Sequence, residues 1–292
     1  ALAVIRAIDT ATLNSRTLRA QYSLLYAIAL DKNWIDTTDV AVVMPAVTYY
    51  DRHLSGIRRA KAWYYLGRIQ ENGGDYPSAN ISLLKAEKWA GEKADEYFKT
   101  LIYISLSSIY TASYLYEDAL KYSELSFQAS SKIGDTLGMN ASRYRMAQDL
   151  NNLKRYSEAD SLYRHLLDNT GISVSPHIYP SILSDYALLR LLQYNDYDYA
   201  VQLFEESISR SGRLRTRNHW GAYAYALLRI GNKDRAKAIF KQLEANDDDK
   251  SLTYKTWRGR ADAYLGDFAS AYEYITLASE IQLANVALVL RQ

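Results

Sequence analysis

One small residue recurs in one setting along this chain, and the recurrence limits the possible folds more than any other feature. Alanine follows a turn and opens a helical pattern in Gly74-Asp75-Tyr76-Pro77-Ser78-Ala79, Leu115-Tyr116-Glu117-Asp118-Ala119 and Arg155-Tyr156-Ser157-Glu158-Ala159. It does so again in Asp196-Tyr197-Asp198-Tyr199-Ala200, Gly231-Asn232-Lys233-Asp234-Arg235-Ala236 and Gly266-Asp267-Phe268-Ala269-Ser270-Ala271. The six alanines stand 40, 40, 41, 36 and 35 residues apart. A repeat of this length is one helix pair, which cannot bury its apolar face alone and must stack on its neighbours. The period therefore predicts an all-α solenoid of antiparallel helix pairs, with the chain turning over near Asp75, Leu115, Arg155, Asp196, Gly231 and Gly266.

Composition supports an ordered helical stack. Hydrophobic residues make up 48% of the 292 positions and charged residues 23%, which excludes a disordered chain. Only 4 prolines and 13 glycines interrupt it, mostly at the turns. A net charge of +2 gives no ground in bulk charge for a nucleic-acid partner. The absence of cysteine excludes disulfides, thiolate metal sites and cysteine nucleophiles, and suits cytosol and periplasm equally. No stretch reaches the roughly 18 apolar residues of a membrane helix, so membrane contact is expected only through segments outside this sequence.

The clearest unit runs from Ala60 to about Lys93. Trp63 and Leu66 share one face of a first helix, Asn72-Gly73-Gly74-Asp75 makes the turn, and Ala79, Leu83 and Ala86 lie on a second helix. Gly67 and Ala79 allow close helix approach, Asp75 is a good N-cap, and Pro77 is tolerated in the first turn. Trp63, Leu66, Gly67, Ala79 and Ala86 resemble the signature of the tetratricopeptide repeat (TPR), with Gln70 in place of an aromatic and Leu83 in place of the phenylalanine. Later units match through Tyr110, Tyr116 and Ala119, through Trp220, Ala236 and Phe240, and through Gly259 and Ala271. The resemblance implies a right-handed TPR-like superhelix over residues 60–292, in units starting near 60, 100, 140, 181, 217 and 252. Residues 1–59 then form an atypical N-terminal helical cap.

A second likeness involves the stretch from Tyr22 to Asp36, with Ala46-Val47-Thr48-Tyr49-Tyr50 and Ala62-Trp63-Tyr64-Tyr65-Leu66-Gly67-Arg68. These resemble a Bacteroidetes group of exported TPR proteins. That resemblance implies a periplasmic or otherwise extracytoplasmic setting in a longer parent protein. There the chain would be the sensor part of a transcriptional regulator, with export signal, membrane helix and DNA-binding helix-turn-helix outside the sequence given.

Catalytic and metal chemistry find no support. His53, His165, His177 and His219 are far apart, and no two share helical spacing. Asp247-Asp248-Asp249 lacks the glycine and the distal glutamate of a calcium loop. No phosphate-cradling loop or nucleophile elbow is present. No catalytic residue, metal or cofactor is expected. Two basic clusters remain, Arg210, Arg213, Arg215, Arg217 and His219 around Ser211-Gly212, and Arg52, His53, Arg58, Arg59 and Lys61. Both lie at joints between helix pairs, where solvated charge is the default and an anion contact is the alternative.

The TPR resemblance also implies a binding face, because the first helix of each pair lines a groove. The groove positions carry Tyr64, Arg68 and Asn72, then Tyr144, Gln148 and Asn152, then Asp185, Tyr225, Arg229 and Arg260, with Tyr264 beside the last. Rings for contact area and amides for backbone hydrogen bonds suit a protein or peptide partner. Tyr64, Arg68 and Ser105 occupy the places of the carboxylate clamp used by chaperone-tail adaptors, so that mode is absent. The expectation is a non-enzymatic protein- or peptide-binding scaffold. The alternative is a receptor for a small molecule such as a glycan fragment, stacked on tyrosines.

Overall fold

The computed structural model describes residues 2–53, 56–91, 94–168, 175–245 and 252–289, with side chains to 283. Its helices gather into two compact units, 1–155 and 156–292. The first holds α1 (Leu2–Arg6), α2 (Arg16–Lys32), α3 (Met44–Arg52), α4 (Gly56–Asn72), α5 (Tyr76–Ala90), α6 (Glu96–Ala112), α7 (Tyr116–Lys132) and α8 (Thr136–Asn152). The second holds α9 (Tyr156–Asp168), α10 (Tyr179–Gln193), α11 (Tyr197–Ser211), α12 (Arg217–Arg229), α13 (Lys233–Ala245), α14 (Leu252–Leu265) and α15 (Phe268–Val289). Among the described residues there is no strand, and α4 packs on α5, α6 on α7, α10 on α11, α12 on α13 and α14 on α15. The architecture is the expected all-α, TPR-like solenoid of antiparallel helix pairs. Among the described residues no helix is long and apolar enough to cross a membrane. The Asp247-Asp248-Asp249 run lies outside them.

Each expected turnover point falls in an observed turn, and one backbone device makes all six. The first helix ends on a residue in the left-handed region: Gly74, Tyr114, Lys154, Asn195, Gly231 or Gly266. The next residue donates its N–H back to a carbonyl of the last helical turn. Asp75 reaches Gln70 at 3.0 Å, Leu115 reaches Tyr110 at 2.9 Å, and Arg155 reaches Leu150 at 2.8 Å. Asp196 reaches Arg190 at 3.1 Å, Asn232 reaches Leu227 at 2.9 Å, and Asp267 reaches Asp262 at 2.9 Å. This closure satisfies carbonyls that a helix end would otherwise leave open. Side-chain caps then start new helices: Asp75 accepts from the Ser78 N–H at 3.2 Å, Asp95 from Phe98 at 2.7 Å and Asp135 from Gly138 at 3.0 Å.

The repeated alanines sit where the helices touch. Ala79, Ala119, Ala159 and Ala200 are 0% exposed, Ala236 is 1% and Ala271 is 3%. Gln70, standing where the repeat signature has an aromatic, accepts a hydrogen bond from the Ser82 hydroxyl at 2.7 Å across the α4–α5 contact. Elsewhere the contact is made by buried serines: Ser107 meets Ser123 and Ser126 meets Ser142, each at 2.8 Å, and Ser184 meets Ser207 at 2.8 Å in the second unit. Serine is small enough for close packing, and a paired hydroxyl adds about 1 kcal/mol where an unpaired one would cost more.

The N-terminal helices do not form a separate core. Ala20, Leu24, Val43, Ala46, Val47 and Tyr50 belong to the same apolar cluster as Ala60 through Ile109. Arg59, 6% exposed, fastens them: its Nε donates to the Tyr50 carbonyl at 3.0 Å and its guanidinium stacks on Trp89 at 4.0 Å.

Candidate partner-binding faces

In the first unit the expected groove positions are largely occupied by internal contacts. Tyr64 on α4 is 3% exposed, with its ring edge-on to Tyr65 at 5.0 Å and Phe98 at 5.6 Å. Burial pushes its hydroxyl up to about 12. Tyr144 on α8 is 6% exposed. Both rings are therefore buried rather than open in a groove, and for Tyr64 it is Phe98 of α6 that covers the face. Arg68 is neutralised by Glu71 one turn on and by Asp31 of α2 at 4.0 Å. Asn72 donates to the Thr37 carbonyl at 3.2 Å and pins the α2–α3 connection. Gln148 is half-buried and Asn152 exposed on α8.

Beside these lies a buried carboxylate that the sequence did not single out. Asp149, 1% exposed on α8, accepts from Thr111 of α6 at 2.8 Å and from Ser123 of α7 at 2.9 Å. Burial outweighs these hydrogen bonds and raises its pKa to about 6. It ties three successive helices at one point.

The second unit does bring predicted residues together. Arg229, at the C-terminal end of α12, lies 3.9 Å from the ring centre of Tyr197 and 4.7 Å from that of Tyr264. Its Nη1 donates to the Tyr225 hydroxyl at 3.0 Å. Three helices supply this arrangement: Tyr225 stands one turn before Arg229 on α12, Tyr197 opens α11, and Tyr264 ends α14. Tyr264 is 46% exposed. Beside it, exposed Arg260 lies 5.5 Å from the ring of Trp257, whose indole N–H donates to Asn218 at 2.7 Å. The result is a cation set among aromatic faces, with no ion-pairing carboxylate among the described residues. Asp185, the remaining predicted residue, faces inward and meets His219 Nε2 at 2.9 Å.

A further polar knot of this unit is structural. Asp160, 2% exposed, accepts from Tyr186 at 2.9 Å and from Arg190 at 3.1 Å, and pairs with Arg164. Arg190 continues to Asp196 at 2.5 Å.

No protein-family model matches the sequence, and neither does any curated protein. Solved structures do resemble the fold. The apo form of the quorum sensor NprR from B. thuringiensis superposes with a TM-score of 0.71 at 13% identity, over 96% of this chain and 90% of that one. NprR in complex with its cognate peptide NprX gives 0.64 at 14% identity, over 97% and 80%. A tetratricopeptide repeat protein from Parabacteroides merdae gives 0.58 at 15% identity, over 90% and 93%. The fold is of the tetratricopeptide-repeat type. Aspartyl phosphate phosphatase F from Bacillus subtilis has it too, with a TM-score of 0.66 at 11% identity over 91% of this chain and 71% of that one.

Within this TPR-type frame the basic turn after α11 is mostly absorbed. Arg210 pairs with Glu206 at 2.8 Å, Arg217 donates to the Leu243 carbonyl at 2.8 Å, and His219 is held by Asp185 and Thr216. Arg213 and Arg215 stay exposed. Tyr197 was missed as a site residue because it belongs to a second helix. The signal was nevertheless present, since Tyr76, Tyr116, Tyr156 and Tyr197 all open second helices. The Tyr197 ring lies against the end of the following first helix, α12.

Proposed function

We propose that this chain is a protein- or peptide-binding scaffold of TPR type, with the Arg229 cluster as the anchor of its second unit. The observation that carries this reading is a guanidinium oriented by Tyr197, Tyr225 and Tyr264 yet lacking a carboxylate. A partner's acidic group would complete its coordination while the rings supply contact area, and Arg and Tyr are the residue types in which interface energy concentrates. The peptide complex of NprR, which shares the fold, supports the same class of ligand.

The role is binding rather than catalysis. In the first unit His53 Nδ1 donates to the Tyr49 carbonyl, and in the second His219 is committed to Asp185 and Thr216. The Thr216 hydroxyl beside His219 is itself occupied as the N-cap of α12, accepting from the His219 N–H at 3.3 Å. We read the parent protein as an extracytoplasmic sensor, on the strength of the residues 22–68 described above. The complete gene product tests that part: an export signal followed by a membrane helix and a helix-turn-helix supports it, and their absence overturns it.

Random peptides panned on the purified chain test the binding reading. Enriched peptides should carry an acidic residue and weaken at least about tenfold, the equivalent of about 1.4 kcal/mol, against Arg229→Ala, while the melting curve stays in place. Enriched peptides that bind this variant as tightly as the parent would move the site elsewhere.

A further inference from the structure

In the second basic cluster of the sequence Arg59 is absorbed by internal contacts, but Arg52 and His53 stay exposed. Arg52 and His53 end α3, and the fold places them across one open groove from Arg16 and Arg19 of the first turns of α2. The groove holds about 600 Å³, and Met44 and Pro45 form part of its apolar floor. No carboxylate lines it. Asp39, beside the adjoining groove, is occupied in capping the Ala41 N–H at 2.9 Å, and Asp51 is turned to Trp63 and Arg59. Arg16 and Arg52 have no hydrogen-bond or ion-pair partner among the described residues, and Arg19 uses only its Nε, on the Leu13 carbonyl at 2.7 Å. The His53 Nδ1–H is donated to the Tyr49 carbonyl at 2.7 Å, which leaves Nε2 free.

We propose that this groove binds a small organic phosphate. Three guanidinium groups facing one volume without counter-charge repel one another, an arrangement that a multivalent anion relieves. A monocarboxylate offers two oxygens and one charge, which one fork satisfies. A phosphate monoester offers three terminal oxygens and nearly two charges at neutral pH, which matches three forks. Met44 and Pro45 would take the apolar part of the ester, and the volume is that of a small-molecule site. The site is separate from the Arg229 cluster and does not draw on the reading given there.

Calorimetric titration of the full chain with phenyl phosphate, inorganic phosphate and citrate, at constant ionic strength, tests the assignment. Phenyl phosphate should bind most tightly, then inorganic phosphate, then citrate, and affinity should fall as salt is raised. Arg16→Gln with Arg52→Gln should weaken phenyl phosphate at least about tenfold, and Arg58→Gln, outside the groove, should leave it unchanged. Both arginines are exposed, so the double variant should melt with the parent. Citrate binding as tightly as phenyl phosphate would overturn the phosphate assignment. Failure of all three to bind, or binding that survives the double variant, would remove the site.

Discussion

The carbonyl oxygen of Ala79 lies 3.3 Å from where a Cβ on Gly67 would stand, so α4 and α5 meet backbone to backbone. The Cγ of Leu83, fully buried, would be only 2.8 Å from the same point. Gly259 repeats the arrangement in the second unit, 3.3 Å from the Ala271 carbonyl and 2.8 Å from Ile275. Glycine and alanine at these places are therefore one feature seen from two helices.

Gly67→Ala tests that relationship. Alanine is the better helix former by about 0.5–1 kcal/mol, so a gain would be expected on propensity alone. Overpacking should outweigh it and leave a net loss of about 1–2 kcal/mol in urea unfolding, and Ala119→Leu should lose about 1–3 kcal/mol for the same reason. A Gly67→Ala protein more stable than its parent would mean that the helices can separate at little cost.

Turn chemistry and small-residue periodicity were legible because both are local: Asp75 caps its own helix, and Ala79 needs only a neighbour of known spacing. The site was legible only in part. Tyr64 and Tyr225 both stand at expected groove positions of a first helix, but Phe98 buries the first, while the second lies beside Arg229. Nothing within one repeat separates the two cases. Arg68 has one partner in its own helix, Glu71, and a second, Asp31, from a helix outside the repeat pattern that no single repeat reveals. The phosphate groove was hidden for a similar reason, since Arg16 and Arg52 meet only after α2 and α3 fold together.

The left-handed turn residues offer a second test. Gly is indifferent to this conformation, whereas a residue with a Cβ is strained there by about 1–2 kcal/mol. Lys154, at φ 62°, bears that strain where Gly74, Gly231 and Gly266 do not. Lys154→Gly should raise stability by about 0.5–1 kcal/mol after the added flexibility of the unfolded chain is counted. Asn195→Gly should gain less, because Asn tolerates the conformation. Thermal melts of the two variants check the order.

Asp149 predicts a dependence on pH with a definite sign. Its folded pKa of about 6 lies above the unfolded value near 3.8, so the native state holds the proton more tightly. Native stability is then lost as pH rises from about 4 to about 6 and stays lower above it. Asp149→Asn keeps a carbonyl oxygen to accept from Thr111 and Ser123 while removing the ionisation. It should melt above the parent at pH 7.5, by up to about 3 kcal/mol, and the advantage should vanish near pH 4. A constant difference across that range would mean that Asp149 does not titrate in the native state.

Tyr144 and Tyr264, both read from the sequence as groove residues, should now separate cleanly. Tyr144 is 6% exposed and Tyr264 46% exposed. Removing a buried ring leaves a cavity along with the lost transfer energy, so Tyr144→Ala should cost about 3–5 kcal/mol. Removing a half-exposed ring at the end of α14 should cost about 1 kcal/mol or less. A double change of Tyr144 and Arg68 would accordingly lower the melting point whether or not either touches a partner, and loss of binding in it would say nothing about the site. Tyr264→Ala is the informative change: it strips one face from Arg229 and leaves the core intact. Peptide affinity should fall several-fold while stability drops by no more than about 1 kcal/mol, whereas equal melting of the two single variants would show that the Tyr144 ring is not packed as described.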